Sequence, residues 1–113
     1  MLFDIKKVKI CVFVPENSLD DVRNAVCRAG AGVIGNYSYC TSASKTTGTF
    51  LPNDKANPAI GESGKLEVLS ENKLEFICET EKVKSVILEL RKAHPYEEPE
   101  IDIFPLLDEN DFK

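Results

Sequence analysis

An α+β fold, with one antiparallel sheet and two helices on one face of it, is predicted by a pattern that occurs twice in this chain of 113 residues. In each half, a segment with alternating apolar side chains is followed directly by a segment with apolar residues at helical spacing. A further strand-like segment follows each helix, which gives the order βαββαβ. That order is typical of the ferredoxin-like split-βαβ sandwich.

The first strand and helix are predicted near the N-terminus. Apolar side chains alternate along the strand at Val8, Ile10, Val12 and Val14. The helix is predicted to begin after Ser18, which forms a capping-box-like sequence with Asp21, and to end at Gly30.

The second strand and helix pair begins at Lys73. In the strand from Lys73 to Thr80, one face carries Leu74, Phe76 and Cys78. The helix that follows has an apolar stripe of Val83, Val86, Ile87, Leu90 and Ala93. Pro95 is expected to end this helix, since the residue before a proline is pushed out of the helical region. A last strand is predicted from Glu100 to Phe104, ended by Pro105.

The middle of the chain is less regular. Alternation at Tyr37, Tyr39 and Thr41 predicts a strand, and residues 65–69 resume a strand or hairpin. Between them, a β2–β3 excursion of about residues 41–64 is rich in Ser, Thr, Gly, Pro and Asn. Such a long connection in a small domain is expected to be functional. It could be a hairpin arm that grips a neighbouring subunit or a ligand-binding loop, and the sequence leaves both open.

The face of the sheet without helices is predicted to carry Cys11, Phe13, Ile77 and Phe104 among charged residues. This mixture is too apolar for a free surface, so we expect the face to pack against other copies of the chain in a closed symmetric ring.

Composition predicts one domain over residues 1–113, with a formal net charge of −5. The acidic balance argues against nucleic-acid binding, and no segment is long and apolar enough for a membrane span. Four widely spaced cysteines without an export signal predict reduced thiols and a cytoplasmic location. Acids without basic residues run from Glu97 to Asp111. They form either a solvated strand face and tail or a cation-attracting rim.

Enzymatic chemistry finds little support in the sequence. GESGKLE (residues 61–67) lacks the first glycine and the Ser or Thr of a P-loop. A Cys40–His94 pair is the one conceivable nucleophile and base, and no third orienting group is identifiable. No enzyme activity and no cofactor are therefore expected.

AHPYEEPEIDIFP (residues 93–105) contains the only histidine of the chain. His94, Glu97 and Glu98 could ligate a metal ion, although one histidine falls short of a dedicated zinc site. In the alternative interpretation, His94 binds the free carbonyls at the end of the helix, while Tyr96 packs at the end of the sheet.

The motifs GNYSYCTSASKTTGTFLP, ANPAIGESGKLE and AHPYEEPEIDIFPL, which together span much of the chain, resemble the PII-like domain of the YqfO-type, Nif-three-like family. In that family this domain is typically inserted between the halves of a dinuclear-metal module, and stand-alone versions also occur. HPYEEPEI is also similar to CutA, the trimeric divalent-cation-tolerance protein with a PII-like ferredoxin fold. Ala59 and Lys45-Thr46 depart from the family pattern.

The resemblance implies a non-enzymatic homotrimer built from sheet edges and β-ribbons that acts as a binding, regulatory or assembly module. It does not carry over the two-metal site of the flanking module. Candidate ligand-binding residues are His94, Tyr96, Glu97, Glu98, Gly35, Asn36, Tyr37 and Tyr39. The alternative is a copper- or zinc-binding protein of CutA type that uses His94 and Glu97.

Overall fold

A computed structural model describes residues 3–112 of the chain. The strands are β1 (Lys7–Pro15), β2 (Thr41–Phe50), β3 (Glu67–Glu79) and β4 (Ile101–Leu106), and the helices are α1 (Leu19–Arg28) and α2 (Val83–Ala93). Short 3₁₀ turns occupy Glu16–Ser18, Thr80–Lys82 and Glu109–Asp111. The βαββαβ order is as predicted. Among the described residues, no helix is long and apolar enough to cross a membrane.

The four strands form one sheet in the order β2-β3-β1-β4, and each neighbouring pair is antiparallel. This is the arrangement of the ferredoxin-like fold, which confirms the predicted fold class. In the register, Val12 pairs with Leu74 on one side and with Ile101 on the other. The two central strands therefore present their apolar alternation to the same face.

The hydrophobic core lies between that face and the two helices. Val22 and Val26 of α1 and Val86 and Leu90 of α2 are fully buried against the sheet. The sheet contributes Val8, Ile10, Val12, Val14, Leu74, Phe76 and Cys78. The predicted core faces of the first and third strands and of both helices are thereby confirmed.

The second strand lies later than predicted. Tyr37 and Tyr39 belong to a turn, and β2 occupies Thr41–Phe50, which is the first part of the segment expected to be loop. Only residues 51–66 connect β2 to β3, and we call them the β2–β3 loop. The prediction was wrong because β2 is an edge strand that pairs only with β3. Most of its side chains are exposed, so burial imposes no apolar alternation.

Two smaller expectations were also wrong. Ser18 makes no side-chain cap for α1, because a 3₁₀ turn leads directly into the helix. Pro105 does not end the last strand but lies inside β4. A proline fits there because β4 pairs only with β1 and its outer edge needs no donor.

The face opposite the helices, which we call the open face, has the composition that the sequence predicts. Lys9 pairs with Ile77 and with Phe104, and Cys11 pairs with Glu75 and with Asp102. Cys11 is buried within the protomer, whereas Phe104 is 51% exposed. Apolar and charged side chains thus alternate across this face.

A candidate ligand cavity beneath the β2–β3 loop

The segment that follows α2 is anchored by His94. Pro95 ends the helix, and His94 leaves it in an extended conformation (φ −81°, ψ 131°). Its imidazole does not bind the carbonyls at the helix end, as one interpretation of the sequence expected. Instead, Nε2 lies 2.8 Å from the carbonyl oxygen of Phe13 in β1, and Nδ1 accepts a 3.1 Å hydrogen bond from the backbone N–H of Tyr96. The ring therefore ties the turn to β1.

These two bonds define the state of the imidazole. Nδ1 accepts a hydrogen bond from the backbone N–H of Tyr96, so the ring proton sits on Nε2, which donates a hydrogen bond to the carbonyl oxygen of Phe13. His94 is only 5% exposed, and burial lowers its pKa below the usual value, an effect partly opposed by the hydrogen bond to Phe13 and by the charge of Glu71. The ring is thus a neutral structural group.

Tyr96 extends this chain of contacts to β3. Its hydroxyl donates a 2.7 Å hydrogen bond to Oε2 of Glu71, whose side chain is buried on the open face. Burial, followed by this hydrogen bond and the carboxylate charge, raises the pKa of Tyr96 well above its usual range. Glu71 packs over Gly48 of β2, where a Cβ atom would collide with Oε1. Any larger residue at position 48 would therefore displace the carboxylate of Glu71.

The β2–β3 loop folds back over this end of the sheet. The backbone N–H of Asn57 donates a 3.0 Å hydrogen bond to Oε1 of Glu97, which connects the loop to the segment after α2. The loop is closed at its base by a 2.9 Å bond from the N–H of Gly64 to the carbonyl of Pro52. The rings of Phe50 and Tyr96 lie 6.2 Å apart, between the loop and the sheet.

A cavity of about 310 Å³ lies between the loop, the open face and the segment after α2. Its apolar wall contains three aromatic rings together with aliphatic and proline side chains. The lining residues are Phe13, Thr49, Phe50, Leu51, Pro52, Ala56, Pro58, Ala59, Ile60, Glu71, Tyr96, Glu97, Glu98 and Glu100. The volume is at the lower end of the range typical of small-molecule sites.

The ionisable side chains that line this cavity are those of glutamates and one tyrosine. Four glutamates, namely Glu71, Glu97, Glu98 and Glu100, contribute to the lining, and within residues 3–112 no lysine, arginine or histidine does. The pKa of Glu100 is raised by partial burial, then by Asp102 and by the charge of Glu71. Burial is the largest cause of this rise in the pKa of Glu100, and the neighbouring carboxylates add to it.

The structure brings together one half of the predicted site. Tyr96, Glu97 and Glu98 line the cavity, and His94 lies directly behind Tyr96, with ring centroids 4.8 Å apart. The other predicted residues, Gly35, Asn36, Tyr37 and Tyr39, lie in an exposed turn.

That turn is held at the opposite end of β3, where Gly32 donates to the carbonyl of Ile77 and Cys40 donates to Gly32. Ile77 and Glu71 are six residues apart on β3, which corresponds to about 20 Å. The turn and the cavity are thus separate within one protomer. Cys40 and His94 are likewise attached to opposite ends of the sheet.

The metal-ligand set that the sequence suggested is not assembled in this conformation. Both ring nitrogens of His94 are engaged by the backbone, so neither has a free lone pair for a cation. Glu97 already accepts a hydrogen bond from Asn57. Within residues 3–112, no group of three or more His, Cys, Asp or Glu side chains is placed to hold a metal ion.

Several cavity residues were missed by reasoning from the sequence. Phe13 is predicted on the intersubunit face, and Glu71 lies between residues 65–69 and the strand predicted from Lys73, with no predicted role. Neither has a local signal for ligand binding, because the cavity forms only when the loop covers the sheet. The glycine at position 48 was a clue, because the Glu71 side chain packs over it, but this contact requires the β2–β3 register, in which Gly48 pairs with Leu69 and Thr46 pairs with Glu71.

Comparison with known proteins places this geometry in a family. No family model matches the chain. A GTP cyclohydrolase 1 type 2 homolog from Halalkalibacterium halodurans is 50% identical over 103 residues, which is 91% of this chain and 28% of the relative. A Bacillus cereus protein related to NIF3 has a solved structure with a TM-score of 0.79 and 40% identity, covering 95% of this chain and 27% of that one.

Proteins with this fold also occur as chains of similar length. CutA of Archaeoglobus fulgidus, a periplasmic divalent cation tolerance protein, has a TM-score of 0.65 at 18% identity, covering 88% of this chain and 83% of its own. At this identity the likeness shows the fold alone. The chain spans little more than a quarter of the NIF3-related relatives. It is therefore related to a segment of the NIF3-related (YqfO-type) family, and that segment has the CutA and PII-like ferredoxin fold.

Proposed function

We propose that the chain is a non-enzymatic, homotrimeric binding module whose ligand site is the cavity beneath the β2–β3 loop. The observation that carries the proposal is the connected set of hydrogen bonds from Phe13 through His94 and Tyr96 to Glu71. This set holds one wall of the cavity rigidly against the sheet. Pre-organised walls reduce the conformational entropy that is lost when a ligand binds.

Self-association is supported by two features of the protomer. The open face carries exposed Phe104 and half-buried Ile77 among charged groups, and α1 and α2 do not cover it. In addition, β2 pairs only with β3 within the described chain, so its outer edge offers backbone groups to a neighbouring strand. Exposed apolar surface and free strand edges are features that assembly removes.

The oligomeric part is tested by native mass spectrometry and sedimentation equilibrium at micromolar concentration. We expect a trimer that Phe104→Asp on the open face dissociates. Leu88→Asp, which places the same charge on a similarly exposed apolar residue of α2, is the matched control and should remain trimeric. A monomeric wild-type protein, or equal dissociation of both variants, would remove the trimer from the proposal.

The proposal includes a cytoplasmic location and a regulatory or assembly role without catalysis. The four cysteines are all free in the structure, which accords with a reducing compartment. The cavity contains carboxylates and a phenol whose pKa is raised, and His94, which lies behind Tyr96, is committed to structural hydrogen bonds. None of these groups is arranged as a nucleophile with an adjacent base.

Divalent metal binding is the second candidate function. The four glutamates of the cavity favour it, as does the name of the structurally similar divalent cation tolerance protein. In this form of the proposal the ligands are the rim carboxylates Glu97 and Glu98 rather than His94, because the histidine nitrogens are occupied.

A further inference from the structure

We infer that the cavity binds an organic cation, namely a primary ammonium or guanidinium group carried on a short apolar chain. The inference rests on the proposed function, since it names the ligand class of the same cavity. Its basis is the combination, in the lining of one cavity, of four carboxylates and three aromatic rings with no basic side chain from residues 3–112.

Glu71 is the residue that would meet the cationic group. Glu71 is only 7% exposed, yet it lines the cavity. Oε2 accepts the hydrogen bond from Tyr96, whereas Oε1 has no hydrogen-bond donor within residues 3–112. No side-chain oxygen of the described residues is both fully buried and without a partner, so Oε1 retains some contact with solvent. A cationic donor would replace that solvent, and a charged donor makes the stronger bond with a carboxylate.

The walls suit the remainder of such a ligand. Phe13, Phe50 and Tyr96 are aromatic residues of the lining, and the faces of aromatic rings attract ammonium and guanidinium groups. Pro52, Pro58 and Ile60 offer apolar surface for an alkyl chain. A volume of about 310 Å³ accommodates a small amine with a few carbon atoms rather than a large cofactor.

The charge and geometry of the cavity favour an organic cation over an anionic ligand and over a divalent metal ion. A phosphate or carboxylate ligand would be placed beside four glutamates with no basic side chain in the lining to neutralise it. A divalent metal ion requires several oxygen ligands at close range, and the described residues contain no group of three or more so arranged. An organic cation needs only one or two carboxylates and benefits from the aromatic wall.

The test uses three probes with the same alkyl chain: n-butylammonium, n-butanol and butyrate. Each is titrated into the 113-residue protein while backbone amide signals are followed by NMR. We expect saturable shifts at Phe50, Glu71 and Tyr96 for n-butylammonium, weaker shifts for n-butanol and none for butyrate. Glu71→Gln should weaken n-butylammonium binding at least about tenfold, because the isosteric amide removes the buried charge.

Two further variants keep the result interpretable. Glu81→Gln alters the net charge equally on an exposed residue outside the cavity and should leave binding unchanged. If Glu71→Gln fails to fold, Glu98→Gln on the exposed rim should still weaken n-butylammonium binding about two- to threefold through lost charge attraction.

Tighter binding of butyrate or n-butanol at the same residues would overturn the cation inference while leaving a binding cavity. Absence of saturable shifts with n-butylammonium up to 50 mM, a concentration chosen as roughly the limit for weak fragments, would also overturn it. Binding of Zn²⁺ at these residues without n-butylammonium binding would do the same. The oligomeric state is tested separately by native mass spectrometry, and none of these three results bears on it.

Discussion

The hydroxyl of Tyr96 donates a 2.7 Å hydrogen bond to the carboxylate of Glu71, and this bond joins the segment after α2 to the first half of β3. Both residues line the cavity, and Glu71 is 7% exposed. The segment after a helix and a distant strand are thereby connected through one largely buried polar contact. This contact and the groups around it lead to four predictions about stability, its dependence on pH, and metal binding.

Tyr96→Phe should destabilise the protein by about 1–3 kcal/mol, because it removes the donor that satisfies a buried carboxylate oxygen. Urea unfolding followed by circular dichroism measures the change. Tyr37→Phe removes the hydroxyl of a tyrosine that is 75% exposed and should alter stability by less than about 0.5 kcal/mol. Equal effects of the two variants would contradict a structural role for the Tyr96–Glu71 bond.

Gly48→Ala should also destabilise the protein, by about 1–3 kcal/mol, because the added Cβ displaces the Glu71 carboxylate from its place over β2. The decisive measurement is a double-mutant cycle with Glu71→Ala. Once the carboxylate is absent, the added methyl group should cost much less. If Gly48→Ala costs the same in both backgrounds, the collision with Glu71 is not the cause.

Because of His94, the free energy of unfolding should decrease as the pH falls. Burial lowers its folded-state pKa, so below about pH 6.5 the unfolded chain binds a proton that the folded protein does not. The stability contributed by the neutral ring is therefore fully present above that pH and is lost as the pH falls toward the folded pKa. Unfolding free energies of the wild type should decrease between about pH 7.5 and 5.5.

His94→Gln provides the comparison, because it removes the titrating group. Its unfolding free energy should change less over the same interval than that of the wild type. Parallel curves for the two proteins would show that groups other than His94 produce the dependence.

Metal titration should leave His94 unaffected. The chain has one histidine, so long-range ¹H–¹⁵N NMR of its ring reports a single residue. We expect signals of the Nε2–H tautomer, unchanged when Zn²⁺ is added, because both nitrogens already have backbone partners. A large shift of either ring nitrogen on addition of Zn²⁺ would instead support the CutA-type metal site that uses His94 and Glu97.

The periodic parts of the fold could be predicted from the sequence because burial acts on them directly. Val8, Ile10, Val12 and Val14 alternate since one side of β1 faces the core, and the stripe through Val86 and Leu90 repeats at the helical period for the same reason. The edge strand β2 was not recognisable in this way. Its side chains are mostly exposed and its partner is one neighbouring strand.

The importance of the segment from His94 to Glu98 was also evident from the sequence, since it contains the only histidine beside two prolines and several acids. The chemical role of His94 was not evident from the sequence, because the choice between a metal ligand and a structural group depends on which atoms face each ring nitrogen. Those partners are Phe13, which is 81 residues away along the chain, and the backbone of Tyr96.

The amino-acid sequence by itself determined the layers of this protein, because apolar periodicity records which side of each element is buried. The tertiary structure alone decided that Phe13, Glu71 and Tyr96 share one cavity. They come from three elements that are distant along the chain, and only strand register, the turn after α2 and the folded β2–β3 loop bring them together.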